Sequence, residues 1–475
     1  MDNLGNRNVE LAKNTLILGL GQFVPKLISL VVLPILTAYL STEEYGNYDL
    51  VNSFSSLLLP IMTLQIQQAV FRHLLAAIDD TDKARYTTNA IIYVLSSSVI
   101  IIPITFLALG GLEVNLYERT LICFLYLSET IYTLFGQIVR GLGYNIKFSL
   151  SVIIYATINM IGTVIFVALW KMGFLGVVAS VGLGYFGAVI YMIISSGMIR
   201  YIKIKEISIK YIKELLSFSI PIVPSSISLW IVNLSDRIII IRFLDVAANG
   251  IYAVANKIPT LYNTAYSIFN LAWTETASRV LDDGETEDYY SKMFNGLFRF
   301  LVGAMLLLIA VTPMVFKVLV QGDYGDALYQ VPILYLAAFF NSFVNYYSGI
   351  YIALKRTKQV GISSGIGAVL NVIINVALIN VIGLFAASIS TAVSFMIIAL
   401  YRAYDLNKVI KIKYEKKNIA VGFSLLLACG LIIYGGQIYH MLICLIIAII
   451  YNLKMNGAFM GKVIGILKKK LKKKG

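Results

Sequence analysis

The sequence predicts an all-α polytopic membrane protein: about 14 transmembrane helices, set as two parallel six-helix lobes with two further C-terminal helices. Three observations lead there. The 475 residues are 59% hydrophobic and only 13% charged, with a mean hydropathy of +0.80, whereas soluble domains are about a quarter charged. A soluble chain of this kind would lack the polar surface to cover its cores. Apolar runs of about 18 to 25 residues, long enough to cross a bilayer as helices, recur along the whole chain. Lys and Arg collect in alternate connections between those runs, as membrane topology requires.

The runs fall in order. Residues 14–39 exceed a signal-peptide core and precede no small-residue cleavage site, so they read as the first span. Spans at 47–71, 87–110, 117–139, 148–170 and 174–199 complete an N-lobe, residues 1–199. Residues 200–215, "RYIKIKEISIKYIKEL", alternate apolar residues with Lys and then shift to helical spacing, which suits an amphipathic interfacial linker. Spans at 216–242, 249–275, 293–320, 330–353, 360–381 and 384–405 form a C-lobe, residues 216–405. Two more, at 418–434 and 437–453 within residues 406–453, are separated by the tight turn "YGGQIYH". The tail, residues 454–475, ends in "KKKLKKKG", a polybasic run suited to anionic lipid.

With the N-terminus inside, the inner segments hold 31 of the 39 Lys and Arg. Both termini are then expected in the cytoplasm, with the chain multi-pass in a bacterial inner membrane. The net charge of +14 follows from that topology, and the polar basic domain that nucleic acid would need is missing from the sequence. Cys123, Cys429 and Cys444 sit in apolar runs, and His73 and His440 are far apart, so neither a disulfide framework nor a metal-ligand spacing is expected. No outer loop exceeds about a dozen residues, which leaves no room for a catalytic domain and argues against an enzyme.

The two lobes repeat one another. "YLSTEEYGNYDLVN" (39–52) aligns with "FLDVAANGIYAVAN" (243–256) at an offset of 204, pairing Leu40 with Leu244, Gly46 with Gly250, Tyr48 with Tyr252 and Asn52 with Asn256. The offset persists to Asp79/Asp283 and Tyr86/Tyr290. "GFLGVVAS" (173–180) resembles "GLFAASIS" (383–390). Six spans per half is an even number, so the halves share an orientation, a plan in which substrate binds between repeats.

These stretches, with "LLSFSIPIVPSS" (215–226) and "DRIIIIRFLDVAANGIYAVANKI" (236–258), resemble the Wzx-like oligosaccharide flippases of polysaccharide biosynthesis. Those share a superfamily with the MATE exporters and the lipid II flippases. The resemblance covers most of the chain. It implies export of an undecaprenyl-diphosphate-linked glycan, such as an O-antigen or capsule repeat unit, from inner to outer leaflet. Membrane lipids, and other glycan-assembly membrane proteins, are the further partners it implies. It implies no cofactor, and leaves coupling to a proton gradient, a sodium gradient or the membrane potential open.

Ionisable groups inside spans are costly and by default face a cavity or a partner. Lys26, Arg237 and Lys257 are the cations placed there, and the offset maps Arg237 onto Leu33 and Lys257 onto Ser53, so they specialise one half. An anionic diphosphate suits them, Arg offering two parallel donors and Lys a point charge. The alternative is structural pairing, of Asp236 with Lys257 or Glu129 with Lys26, with Asp236 restraining Arg237. Glu129 and Asp236 are also the candidate proton or sodium sites. Asn256, Thr260, Asn263, Ser267, Asn270 and Thr274 lie on one helical face. That face suits sugar hydroxyls, with Asn256, Asn263 and Asn270 as ligands, or else helix packing through interhelical hydrogen bonds. Pro221 and Pro224 are expected to kink the seventh span. The rival functions are a MATE-type multidrug exporter and a membrane glycan polymerase or ligase.

Overall fold

A computed structural model describes residues 26–281 and 286–472. The chain divides into two compact units, Met1–Ala253 and Val254–Gly475. The regular secondary structure of the described residues is all helical, with no strand among them.

Unit 1 begins with α1 (Lys26–Tyr39), followed by α2 (Thr42–Thr63), α3 (Ile66–Ala76), α4 (Asp80–Gly111), α5 (Leu116–Gly141), α6 (Asn145–Thr163), α7 (Gly173–Ser196), α8 (Ile209–Ser219), α9 (Val223–Phe243) and α10 (Val246–Ala255). Unit 2 holds the last residues of α10 with α11 (Lys257–Val280), α12 (Thr286–Leu319), α13 (Ala327–Ala353), α14 (Thr357–Ile382), α15 (Phe385–Leu406), α16 (Lys416–Ile432) and α17 (Ile438–Lys472). Several starts are capped as their sequences dictate. Ser41 and Glu44 form a reciprocal capping box on α2, Asp79 accepts from the Asp82 amide on α4, and Asn115 accepts from Glu118 on α5.

Ten described helices are long and apolar enough to cross a membrane, or eleven if the bent pair α2 and α3 counts as one. The other expected spans differ for physical reasons. Residues 14–25 lie outside the described residues, which leaves α1 short. Span 216–242 is α9, whose Asn233, Asp236 and Arg237 lower its hydropathy, and span 249–275 is divided between α10 and the polar α11. The expected kink at Pro221 and Pro224 is instead a helix boundary. Pro221 sits in a 3-10 turn between α8 and α9, and Pro224 in the first turn of α9, where a missing N–H leaves no bond unmade. Span 47–71 is likewise broken, at Leu64 and Gln65, both left-handed (φ 42° and 60°), with a 56° bend. Residues of the stretch "QIQQ" (65–68) serve that break. Gln65 and Gln67 are buried, the Gln67 amide donates to Gln65 Oε1 at 3.0 Å, and the Gln65 backbone N–H donates to Thr63.

Each unit carries the same clasp. In unit 1 the Asn89 amide on α4 donates to the Arg85 and Glu206 carbonyls (2.8 and 2.9 Å) and accepts from the Ser208 N–H (2.8 Å). In unit 2 the Asn295 amide on α12 donates to the Ser291 and Lys413 carbonyls (both 2.8 Å) and accepts from the Glu415 N–H (3.0 Å). In both units the segment leaving the sixth helix of the repeat is tied to the start of the third, at the basic end. The linker after residue 199 thus folds onto α4, where Thr88 also donates to the Tyr201 carbonyl and accepts from Lys203.

Unit 2 has a second internal rivet. Arg402 on α15 is 1% exposed. Its guanidinium donates to the Val344 carbonyl and Ser348 on α13, and to the Val360 carbonyl, Ser363 and Ser364 on α14. All five N–H groups are satisfied by neutral acceptors, which makes this cation structural.

Candidate functional site

The matched segments of the repeat meet inside unit 1, at the end of the bundle away from the basic loops. The first turns of α2 lie against α10 with Gly46 and Gly250 facing each other's backbone. A Cβ at Gly46 would strike the Val246 carbonyl, and one at Gly250 the Thr42 carbonyl. Only glycine permits that approach. Asn249, fully buried, donates to the Gly46 carbonyl at 3.2 Å and to Asp49 Oδ2 at 3.4 Å.

Arg237 completes this junction. Its Nε donates to Asp49 Oδ2 at 2.6 Å, with the two side chains 22% and 14% exposed. The pair links α9 to α2. Asp236, 7% exposed, accepts from the Tyr252 hydroxyl of α10 at 3.1 Å. The hydrogen-bonded partner of Arg237 is thus Asp49, while Asp236 places a second negative charge close to the guanidinium. Asp49 is the residue the sequence reading missed. Its signal was available, as a carboxylate three residues after Gly46, inside an expected span and near the same end as Arg237.

Glu129 stands at the middle of α5 and accepts a short hydrogen bond from the Ser55 hydroxyl of α2. It forms no ion pair among the described residues, so its pairing with Lys26 is corrected. Lys26 is exposed and is the first described residue of α1, and Lys257 is half-buried as the first residue of α11, just after Asn256 at its N-cap.

In α11 the packing face is aromatic. Tyr262 and Tyr266 bond Ser342 of α13, and Trp273 stacks on Tyr346 at 4.6 Å and donates to its carbonyl. Asn263 and Asn270 lie off that face and are half-buried. Asn270 Oδ1 has no hydrogen-bond partner among the described residues. Ser267 and Thr274 bond carbonyls of their own helix. The described hydrogen bonds from α11 to its neighbour thus run through the aromatic residues and not through the polar stripe. Among the described residues no group of three His, Cys, Asp or Glu side chains is placed to hold a metal.

The structure is similar to the lipid II flippase MurJ in its inward closed conformation, at 16% identity and a TM-score of 0.71, over 94% of this chain and 98% of that one. It is also similar to an inward-facing multidrug resistance MATE transporter of the MOP superfamily (14% identity, TM-score 0.67, 81% and 95% covered). A MOP superfamily transporter from Pyrococcus furiosus aligns at 13% identity and a TM-score of 0.55, over 83% and 96% of the two chains. At these identities the likeness is one of fold alone. No curated protein sequence matches the chain. The polysaccharide biosynthesis protein profile matches residues 11–274, more than half of the 475. The chain is a multi-pass membrane protein and belongs to the polysaccharide biosynthesis protein family.

Proposed function

We propose that this chain is a flippase carrying an undecaprenyl-diphosphate-linked oligosaccharide, an O-antigen, capsule or similar repeat unit, from the inner to the outer leaflet by alternating access. The family and the fold support transport of a lipid-linked glycan. The observation that carries the mechanism is the Asp49–Arg237 pair, which ties the two halves of the repeat together beside a glycine contact. Alternating access needs a seam between repeats that closes firmly and opens at modest cost. One half-buried ion pair with two bonds from Asn249 has that character.

With the basic loops in the cytoplasm, the seam lies toward the outer leaflet of a bacterial inner membrane. The head group enters while the seam is shut and leaves when it parts, the polyprenyl tail staying in lipid. Lys26 and Lys257 meet the diphosphate, and Arg237 joins them once released from Asp49. Asn256, Asn263 and Asn270 face the glycan. An inside-negative potential favours outward movement of negative charge by about 2.3 kcal/mol per charge per 100 mV.

The test is the leaflet location of the lipid-linked glycan in a deletion strain. Accumulation on the inner leaflet is expected, restored by the wild-type gene. Asp49→Arg and Arg237→Asp should each lower export at least about tenfold, since leaving one partner of a buried pair alone costs up to about 3–5 kcal/mol. The double exchange should recover a substantial part of it. Outer-leaflet accumulation of single repeat units would mark a polymerase instead, and full export by both single variants would remove the seam from the mechanism.

A further inference from the structure

Within unit 1, a carboxylate and three tyrosines gather at mid-depth. Glu129 of α5, Tyr155 of α6, Tyr185 of α7 and Ser55 of α2 each lie near the midpoint of their helix. The rings of Tyr155 and Tyr185 stack at 4.4 Å with an interplanar angle of 15°. Tyr132, one turn after Glu129, is 5.0 Å from Tyr185 and 6.0 Å from Tyr155. The Glu129 carboxylate is close enough to act electrostatically on Tyr155 and Tyr185. Glu129 and all three rings are half-buried, while Ser55 is 3% exposed.

Four helices, α2, α5, α6 and α7, contribute to this cluster, and its carboxylate and three rings each keep part of their surface exposed. A charged carboxylate kept there for packing alone would be matched by a cation. None is matched to Glu129 among the described residues, and Ser55 fills only one of the four or so acceptor positions of a carboxylate. Aromatic faces carry partial negative charge. They attract the weakly positive C–H face of a sugar ring and, more strongly, an ammonium group. The free oxygen positions of Glu129 accept from sugar hydroxyls. A second carboxylate brought into this space meets like charge and electron-rich rings.

We propose that Ser55, Glu129, Tyr132, Tyr155 and Tyr185 form a sugar subsite that takes a neutral or amino-bearing sugar of the cargo glycan and rejects an acidic one. The subsite rests on the reading that a glycan passes through this protein, and it names which class of sugar. Its residues are not among the cations assigned to the diphosphate. The cargo is then an oligosaccharide whose sugar at this point lacks a uronate carboxylate.

The experiment uses the full-length protein in detergent micelles, with methyl glucoside, glucosamine and glucuronate as probes read by saturation-transfer NMR. Wild type should bind the first two and bind glucuronate at least about tenfold more weakly, from like-charge repulsion at short range. Glu129→Gln, which removes the charge and keeps an acceptor, should bring glucuronate to within about twofold of methyl glucoside. Tyr185→Ala should lose all three probes. Tyr185→Phe, which keeps the ring, should retain them, so a folding defect is told apart from a lost platform. Equal binding of glucuronate by wild type, an unchanged ranking in Glu129→Gln, or no binding of any probe overturns the subsite. If Glu129→Gln stops export with the ranking unchanged, Glu129 is a proton carrier and the subsite falls. The leaflet assay on wild type reads the flippase function without these variants, so the two can fail independently.

Discussion

Replacing Gly46 or Gly250 with Ala should open the seam of unit 1 without harming either helix. The Gly46 Cβ would meet the Val246 carbonyl and, at 2.9 Å, the Val246 Cγ1. The Gly250 Cβ would meet the Thr42 carbonyl and, at 3.0 Å, the Gly46 N. Backbone atoms cannot swing aside, so α2 and α10 must part by roughly an ångström. Overpacking of that kind costs about 1–3 kcal/mol. The same shift carries the Asn249 bonds, already 3.2 and 3.4 Å, beyond hydrogen-bond range, adding about 1 kcal/mol. The closed seam is then disfavoured by about 2–4 kcal/mol, which moves the closed-to-open ratio by about 30- to 1000-fold. Gly→Ala within a helix is itself stabilising by about 1 kcal/mol, so each helix gains while the seam loses. Spin labels at the exposed positions 43 and 243, read by double electron–electron resonance, should give one short distance in wild type and a longer population in each variant. Gly296→Ala, where a Cβ meets nothing within 4 Å, is the control. A short distance preserved in both variants, with export unchanged, would refute the steric argument.

Two further outcomes concern the scaffold. Arg402→Ala should destabilise the protein by at least about 1–3 kcal/mol, seen as a lowered melting temperature, because buried acceptors lose their donor. Arg402→Met, which fills the volume and removes the charge, should cost clearly less, and equal losses would show that volume alone matters. Asn89→Ala and Asn295→Ala each remove three clasp bonds and should cost about 1–3 kcal/mol, additively since they share no partner. Limited proteolysis should then cut within 200–208 in the first variant and within 407–415 in the second. Uncut segments would show that the clasp is dispensable.

Much of the fold was legible because it rests on long-range regularities. Span length, the Lys and Arg bias and the 204-residue offset each sum over many residues. What escaped depends on single backbone positions. The break at Leu64 and Gln65 needs two left-handed residues in a row, and neither is a glycine that would mark the place. Pro221 and Pro224 were visible, but a proline signals a kink and a helix start alike, and the distinction lay in the 3-10 turn before α9. The clasps went unnoticed because Asn89 and Asn295 are 206 apart, two residues off the fixed offset. In the site, residue types read well and partners read poorly. Asp236, Arg237 and Glu129 are indeed held by specific groups, yet those groups, Tyr252, Asp49 and Ser55, lie from 16 to 188 residues away.

The way the repeat is broken bears on how the seam works. If the pair Asp49–Arg237 obeyed the pseudo-symmetry, a second carboxylate would stand at 253 and a second cation at 33. Those positions are Ala253 and Leu33, 3% and 1% exposed. Gly46 and Gly250, by contrast, are matched and face each other's backbone. Close backbone approach is thus shared by both halves, while the charge that fastens it is used once. A duplicated latch would double the electrostatic cost of opening and leave two ion pairs to separate in step. A single one lets the glycine contact set the geometry of closure and a lone, half-buried carboxylate set its strength. Because the partner of that carboxylate is an arginine, a phosphate oxygen offers the guanidinium the same kind of acceptor, so on the proposed function a diphosphate would compete for Arg237 directly with Asp49.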